Sequence, residues 1–95
     1  MDERVRRHAE TLIGWSARIE PGDDVVVDVA EGAHELAVAV AERLGEVGAN
    51  MTVTYGSDEV TRAYLRARDG GFEAAPGELA LFERADAYLR LGGGR

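Results

Sequence analysis

The sequence predicts an α/β fold: an N-terminal helix, then βαβαβ, with a small parallel three-stranded sheet of order 2-1-3 and helices packed on it. Three observations lead there. The run Val25-Val26-Val27-Asp28-Val29 is apolar almost throughout and does not alternate. That is the pattern of a strand covered on both faces of a parallel sheet. Segments with strand patterning alternate with segments of helical periodicity, which implies right-handed crossovers. The chain has 95 residues, which fits one α/β domain over residues 1–95, with no linker and no internal repeat.

The first helix is expected over about residues 2–19. Val5, Ala9, Leu12, Ile13, Ser16 and Ile19 recur at helical spacing and make one mainly apolar stripe. Trp15 lies at the edge of that stripe, either as a packing aromatic or as a surface anchor. Pro21-Gly22 ends the helix, because proline disfavours helical geometry in the residue before it and glycine permits the turn. The valine strand follows. Asp28 interrupts it near its carboxyl end, and packing supplies no reason for an acid there.

After Glu31-Gly32, residues 33–47 carry the strongest helical pattern. Leu36, Val40, Leu44 and Val47 form its core stripe, Ala37 and Ala41 allow close approach to a sheet, and Gly48 supplies the stop. Met51-Thr52-Val53-Thr54-Tyr55 alternates, with Met51, Val53 and Tyr55 on one face, as a less completely buried second strand does. Ser57 or Asp58 can N-cap a helix over residues 59–68, with Val60, Ala63, Tyr64 and Ala67 on its inner face and Asp69-Gly70-Gly71 ending it. Pro76 opens a short helix containing Leu79, Ala80, Phe82 and Glu83. Residues 87–91 read as the third strand, followed by Gly92-Gly93-Gly94-Arg95. A compact domain rarely ends directly after an unprotected edge strand, so the chain is expected to be a piece of a longer one.

The chain contains 18 acidic residues, 11 arginines and no lysine, for a formal net charge of −7. Such a balance repels nucleic-acid phosphates unless basic residues cluster. Arg4, Arg6 and Arg7 do cluster, but Asp2, Glu3 and Glu10 surround them, as on a solvated helix face. Neither nucleic acid nor membrane is expected as a partner. Without cysteine there is no disulfide and no thiolate-metal site. No run approaches the roughly 20 apolar residues of a membrane span. The N-terminus lacks an apolar signal core, and a cytoplasmic location is the expectation.

In open α/β sheets ligands sit beyond the carboxyl ends of the strands. Those ends lead here into Ala30-Glu31-Gly32-Ala33-His34, Gly56-Ser57-Asp58-Glu59 and the glycine tail. None matches a dinucleotide or Walker phosphate loop, and Glu31 would repel a phosphate. Asp28, Glu31, His34 and Glu35 are the only acid–histidine grouping, and a zinc site needs more histidine or cysteine than that. They read as a surface helix start with acids favoured by the helix dipole. His8 has no evident partner and reads as solvent-facing. The residues therefore assign no catalytic, cofactor-binding or metal site.

The stretch "RIEPGDDVVVDVAEGAHELAVAVAERLGEVGANMTVTY", followed by "AAPGELALFERADAYLRLGGGR", resembles the N-terminal domain of the thermophilic-type metallo-aminopeptidases, the aminopeptidase T family. The matching pieces are Glu20-Pro21-Gly22-Asp23, Val47-Gly48-Ala49 and residues 78–91. The resemblance implies a cytoplasmic, generally dimeric exopeptidase that removes N-terminal residues from peptides. It also implies a divalent metal (zinc, cobalt or manganese) that activates water in the intact enzyme. The family's metal ligands and catalytic acid lie in a C-terminal domain, so no catalytic residue transfers to any position here. The matched residues are scaffold: Pro21 and Gly22 for the turn, Gly48 for the helix stop, Ala85-Asp86 leading into the third strand. The expected partners are a C-terminal domain or a second copy, and the chain alone is expected to be inactive. The rival readings are a non-enzymatic interaction or dimerisation module, and a small-molecule-binding flavodoxin-like domain.

Arginine in place of every lysine, with excess acid, suggests a halophilic protein, because concentrated salt screens the repulsion among carboxylates. Chemical unfolding followed from low salt to molar KCl is expected to show stability rising with salt. Equal stability throughout would contradict the idea.

Overall fold

The structure, a computed structural model, describes residues 2–68 and 75–92. The elements are α1 (Glu3–Thr11), a π-helical turn (Leu12–Ser16), β1 (Asp24–Ala30), α2 (His34–Val47), β2 (Asn50–Gly56), α3 (Asp58–Ala67), α4 (Pro76–Arg84) and β3 (Ala87–Leu91). The sheet order is β2-β1-β3 and both pairings are parallel, as the sequence predicts. Among the described residues no helix is long and apolar enough to cross a membrane.

β1 is central because its sequence tolerates burial all round. Val25, Val27 and Val29 point to one face and join Ile13, Val40, Leu44 and Leu91 in the main core. Val26 points to the other face and is only 7% exposed. Each buried valine contributes about 1.5–3 kcal/mol relative to an exposed one. The edge strands need less cover. On β2, Met51, Val53 and Tyr55 share the α2 side of the sheet yet stay substantially exposed.

Local polar contacts fix how the chain enters and leaves β1. In the Pro21-Gly22 turn, the Gly22 N–H donates to the Gly48 carbonyl at 2.9 Å, so the turn docks on the end of α2. Gly48 holds φ at 91°, the left-handed conformation that ends a helix with little strain only for glycine. The Asp23 carboxylate accepts from the Glu20 N–H at 2.8 Å and closes the turn on itself. At the start of the sheet, Asp86 clasps Asp24 twice. Its carboxylate accepts from the Asp24 N–H at 2.8 Å and its own N–H donates to the Asp24 carbonyl at 2.8 Å. Ala85-Asp86 thus sets the register of β3 against β1.

Two expectations are corrected. The first helix does not continue regularly to residue 19. It widens after Thr11 into a π-helical turn, where the Ala17 N–H bonds the Leu12 carbonyl at 2.9 Å. Arg18 then adopts a left-handed φ of 52°, and the Ile19 N–H reaches back to the Ile13 carbonyl at 2.9 Å. The extra residue in the turn rotates the stripe. Ile13 and Ile19 go into the core, while Ser16 and Trp15 face solvent, Trp15 with 78% of its surface exposed.

The second correction concerns α3. Ser57 caps it as expected, its hydroxyl accepting from the Val60 N–H at 3.1 Å. The face expected to point inward, Val60, Ala63, Tyr64 and Ala67, is exposed along its whole length. The helix leaves the sheet beyond the carboxyl end of β2 and, among the described residues, nothing packs closely over it. Its periodicity is amphipathic, but the surface that would cover the apolar side is absent from these elements. The expected stop at Asp69-Gly70-Gly71 and the last three residues of the glycine tail lie outside the described residues.

Candidate functional site

The second face of the sheet carries the polar residues. Strand alternation and register place Val26 and Asp28 of β1, Thr54 of β2, and Tyr88 and Arg90 of β3 on that face, with Asp28 directly between Thr54 and Arg90. The Thr54 hydroxyl donates to Asp28 Oδ1 at 2.8 Å, and the Tyr88 hydroxyl to Asp28 Oδ2 at 3.3 Å. One carboxylate on the central strand therefore ties together all three strands. Hydrogen bonds to a charged group contribute about 1.5–3 kcal/mol each when well made. The first bond has that geometry, and the second is longer than an O–H···O bond prefers. This pairing answers why an acid interrupts the valine run.

Tyr88 responds to the same contact. Burial raises its hydroxyl above the ordinary tyrosine value, and the charge of Asp28 and the hydrogen bond to it raise it further. The ring also meets Phe82 of α4 edge to face, with centroids 4.9 Å apart.

Two clefts meet at Asp28. The first, about 340 Å³, lies beyond the carboxyl ends of the strands, where Glu31, Ser57, Asp58 and Arg90 gather around it. The second, about 310 Å³, runs between α4 and the sheet, with Val26, Leu81, Phe82 and Tyr88 as its apolar and aromatic wall. Asp28 and Glu78, the latter in the first turn of α4, border both.

Of the acid–histidine grouping in the sequence, the structure brings Asp28 and Glu31 to this site. His34 and Glu35 open α2 on its exposed side, and His8 is exposed on α1. Among the described residues no three of histidine, cysteine, aspartate and glutamate are placed to hold a metal ion. The divalent metal implied by the resemblance thus does not fit the described residues of this chain. The site has a clamped carboxylate, a phenol and a guanidinium, which can bind and orient a ligand.

Sequence reasoning passed over Thr54, Glu78, Phe82, Tyr88 and Arg90. A signal for three of them was present. With Met51, Val53 and Tyr55 on one face of β2, Thr52 and Thr54 belong to the other, and Tyr88 and Arg90 alternate likewise with Leu89 and Leu91. A parallel register then puts Asp28 among them.

No protein-family model matches the sequence, and no curated protein sequence matches it. Among solved structures, wild-type AmpT from Thermus thermophilus matches with a TM-score of 0.72 and 28% sequence identity. The match covers 95% of this chain and 24% of that one. In class, then, this is an open parallel α/β domain with an acidic, partly aromatic site at the carboxyl ends of its strands. In particular, it is similar to an N-terminal piece of a metallo-aminopeptidase, and the resemblance in sequence is matched by one in fold. The chain spans about a quarter of the solved protein it matches.

The Asp28–Tyr88 contact has a pH signature. The native state holds the Tyr88 proton more tightly than the unfolded chain does. The stability this contributes is whole below the ordinary tyrosine pKa of about 10 and is lost as pH rises from there through the native value. In a phenolate absorbance titration, Tyr88→Phe is expected to remove a transition above the ordinary range. Asp28→Asn is expected to move that transition down. An Asp28→Asn titration identical to that of the unaltered chain contradicts the assignment.

Proposed function

We propose that this chain is the N-terminal α/β portion of a cytoplasmic, metal-dependent aminopeptidase, an enzyme that removes N-terminal residues from peptides. Its own part is scaffolding, and the metal and the catalytic acid come from polypeptide outside it. The observation that carries the reading is the fold match to Thermus thermophilus AmpT over 95% of this chain. The ordered matches Glu20-Pro21-Gly22-Asp23, Val47-Gly48-Ala49 and residues 78–91 support it from the sequence side.

The uncovered surfaces fit a piece that packs on more protein. Val60 and Tyr64 on α3, Tyr55 on β2 and Trp15 after α1 are all more than half exposed. A helix with a continuous apolar side normally buries it. That observation also favours the second reading, a homodimerising or interaction module, since a second copy could cover the same surfaces.

The purified chain, supplied with zinc, cobalt or manganese and an aminoacyl-p-nitroanilide, is expected to show no turnover above the metal alone. When it replaces the equivalent segment of Thermus thermophilus AmpT, metal-dependent hydrolysis is expected to persist. Robust turnover by the isolated chain would overturn the scaffold reading.

A further inference from the structure

The cleft between α4 and the sheet combines features that belong together in a ligand site and that a scaffold role leaves unused. One wall is apolar and aromatic: Val26, Leu81, Phe82 and Tyr88. The mouth is acidic, because Asp28 and Glu78 border this cleft and the neighbouring one, and Glu31 and Asp58 stand just beyond. Among the described residues that line the two clefts, one guanidinium, that of Arg90, stands against those four carboxylates. The electrostatic preference is for a cation.

The chemistry of that cation follows from the walls. A bare metal ion is disfavoured, since among the described residues no cluster of carboxylates or histidines converges to coordinate one. A cation with an apolar arm suits both parts of the cleft. Asp28 is already oriented by Thr54 and Tyr88, each bonding one of its oxygens. A carboxylate accepts about four hydrogen bonds in all, so each oxygen retains acceptor capacity. An ammonium group supplies three donors for such acceptors. Phe82 and Tyr88, which both line the cleft and meet edge to face, offer aromatic surface to the arm. The volume, about 310 Å³, is at the small end of ligand pockets and suits one ring on a short chain.

We propose that this cleft binds a small organic ammonium carrying a single apolar arm, with the charge held between Asp28 and Glu78 and the arm against Phe82, Leu81 and Val26. The site goes beyond the scaffold role and does not depend on it, since all its residues lie in this chain.

Phenethylammonium chloride is the probe, titrated into the isotopically labelled 95-residue chain and followed by amide chemical shifts. Saturable shifts are expected at Asp28, Thr54, Phe82 and Tyr88. Phenylacetate, the same ring with the opposite charge, is expected to produce none. Asp28→Asn and Glu78→Gln are each expected to weaken binding about tenfold, the scale of one charge-assisted hydrogen bond. Glu78 lies on the first turn of α4 and makes no hydrogen bond to the sheet among the described residues, so Glu78→Gln reports even if Asp28→Asn fails to fold. Unchanged affinity in either folded variant overturns the proposal. So does equal binding of phenylacetate, the absence of saturable shifts, or shifts scattered over the acidic surface.

Discussion

A parallel strand paired on both edges has nowhere to expose its backbone, and β1 is that strand here. Its amides and carbonyls are committed to β2 and β3, its odd-numbered valines to the core beneath α1 and α2. Only the second face leaves room for a choice, and there the chain places Asp28. The cost of a carboxylate on a central strand is offset by hydroxyls donated from both neighbouring strands. Position, register and the polarity of the site at the carboxyl ends all follow from how β1 is satisfied. The clasp between Asp86 and Asp24 at the opposite end serves the same register.

Much of this was legible in the sequence, for reasons that can be named. The unbroken valines marked the central strand because burial on both sides removes the need for alternation. Gly48, Pro21 and Ser57 marked boundaries because each does something in the backbone that other residues do less well. The sequence did not disclose where the first helix widens, because a π-helical turn keeps the same apolar residues and changes only their phase. It also misled about α3. An amphipathic pattern states that a face is to be covered and is silent about what covers it.

The site was half visible. Asp28 was conspicuous as the residue that packing could not explain, but its partners are 26 and 60 residues away and become neighbours only through the parallel register. Glu78 and Phe82 are less accessible still to sequence reasoning, since they reach the site by the way α4 lies across the sheet. His34 and Glu35 looked comparable to Asp28 in sequence and are not comparable in space, because the start of α2 turns them away from the cleft. The likeness to an aminopeptidase and the absence of a fitting metal group among the described residues are compatible. A fold match over a quarter of a larger protein carries over a framework and by itself assigns no chemistry to this chain.

β1 organises the domain, and α3 stands outside its cooperative core. Native-state hydrogen exchange tests this most directly, because protection reports local opening element by element. The slowest exchange is expected at the amides of Val25, Val26, Val27 and Val29, limited by global unfolding, and the fastest helical exchange in α3. Protection in α3 equal to that in β1 would contradict it.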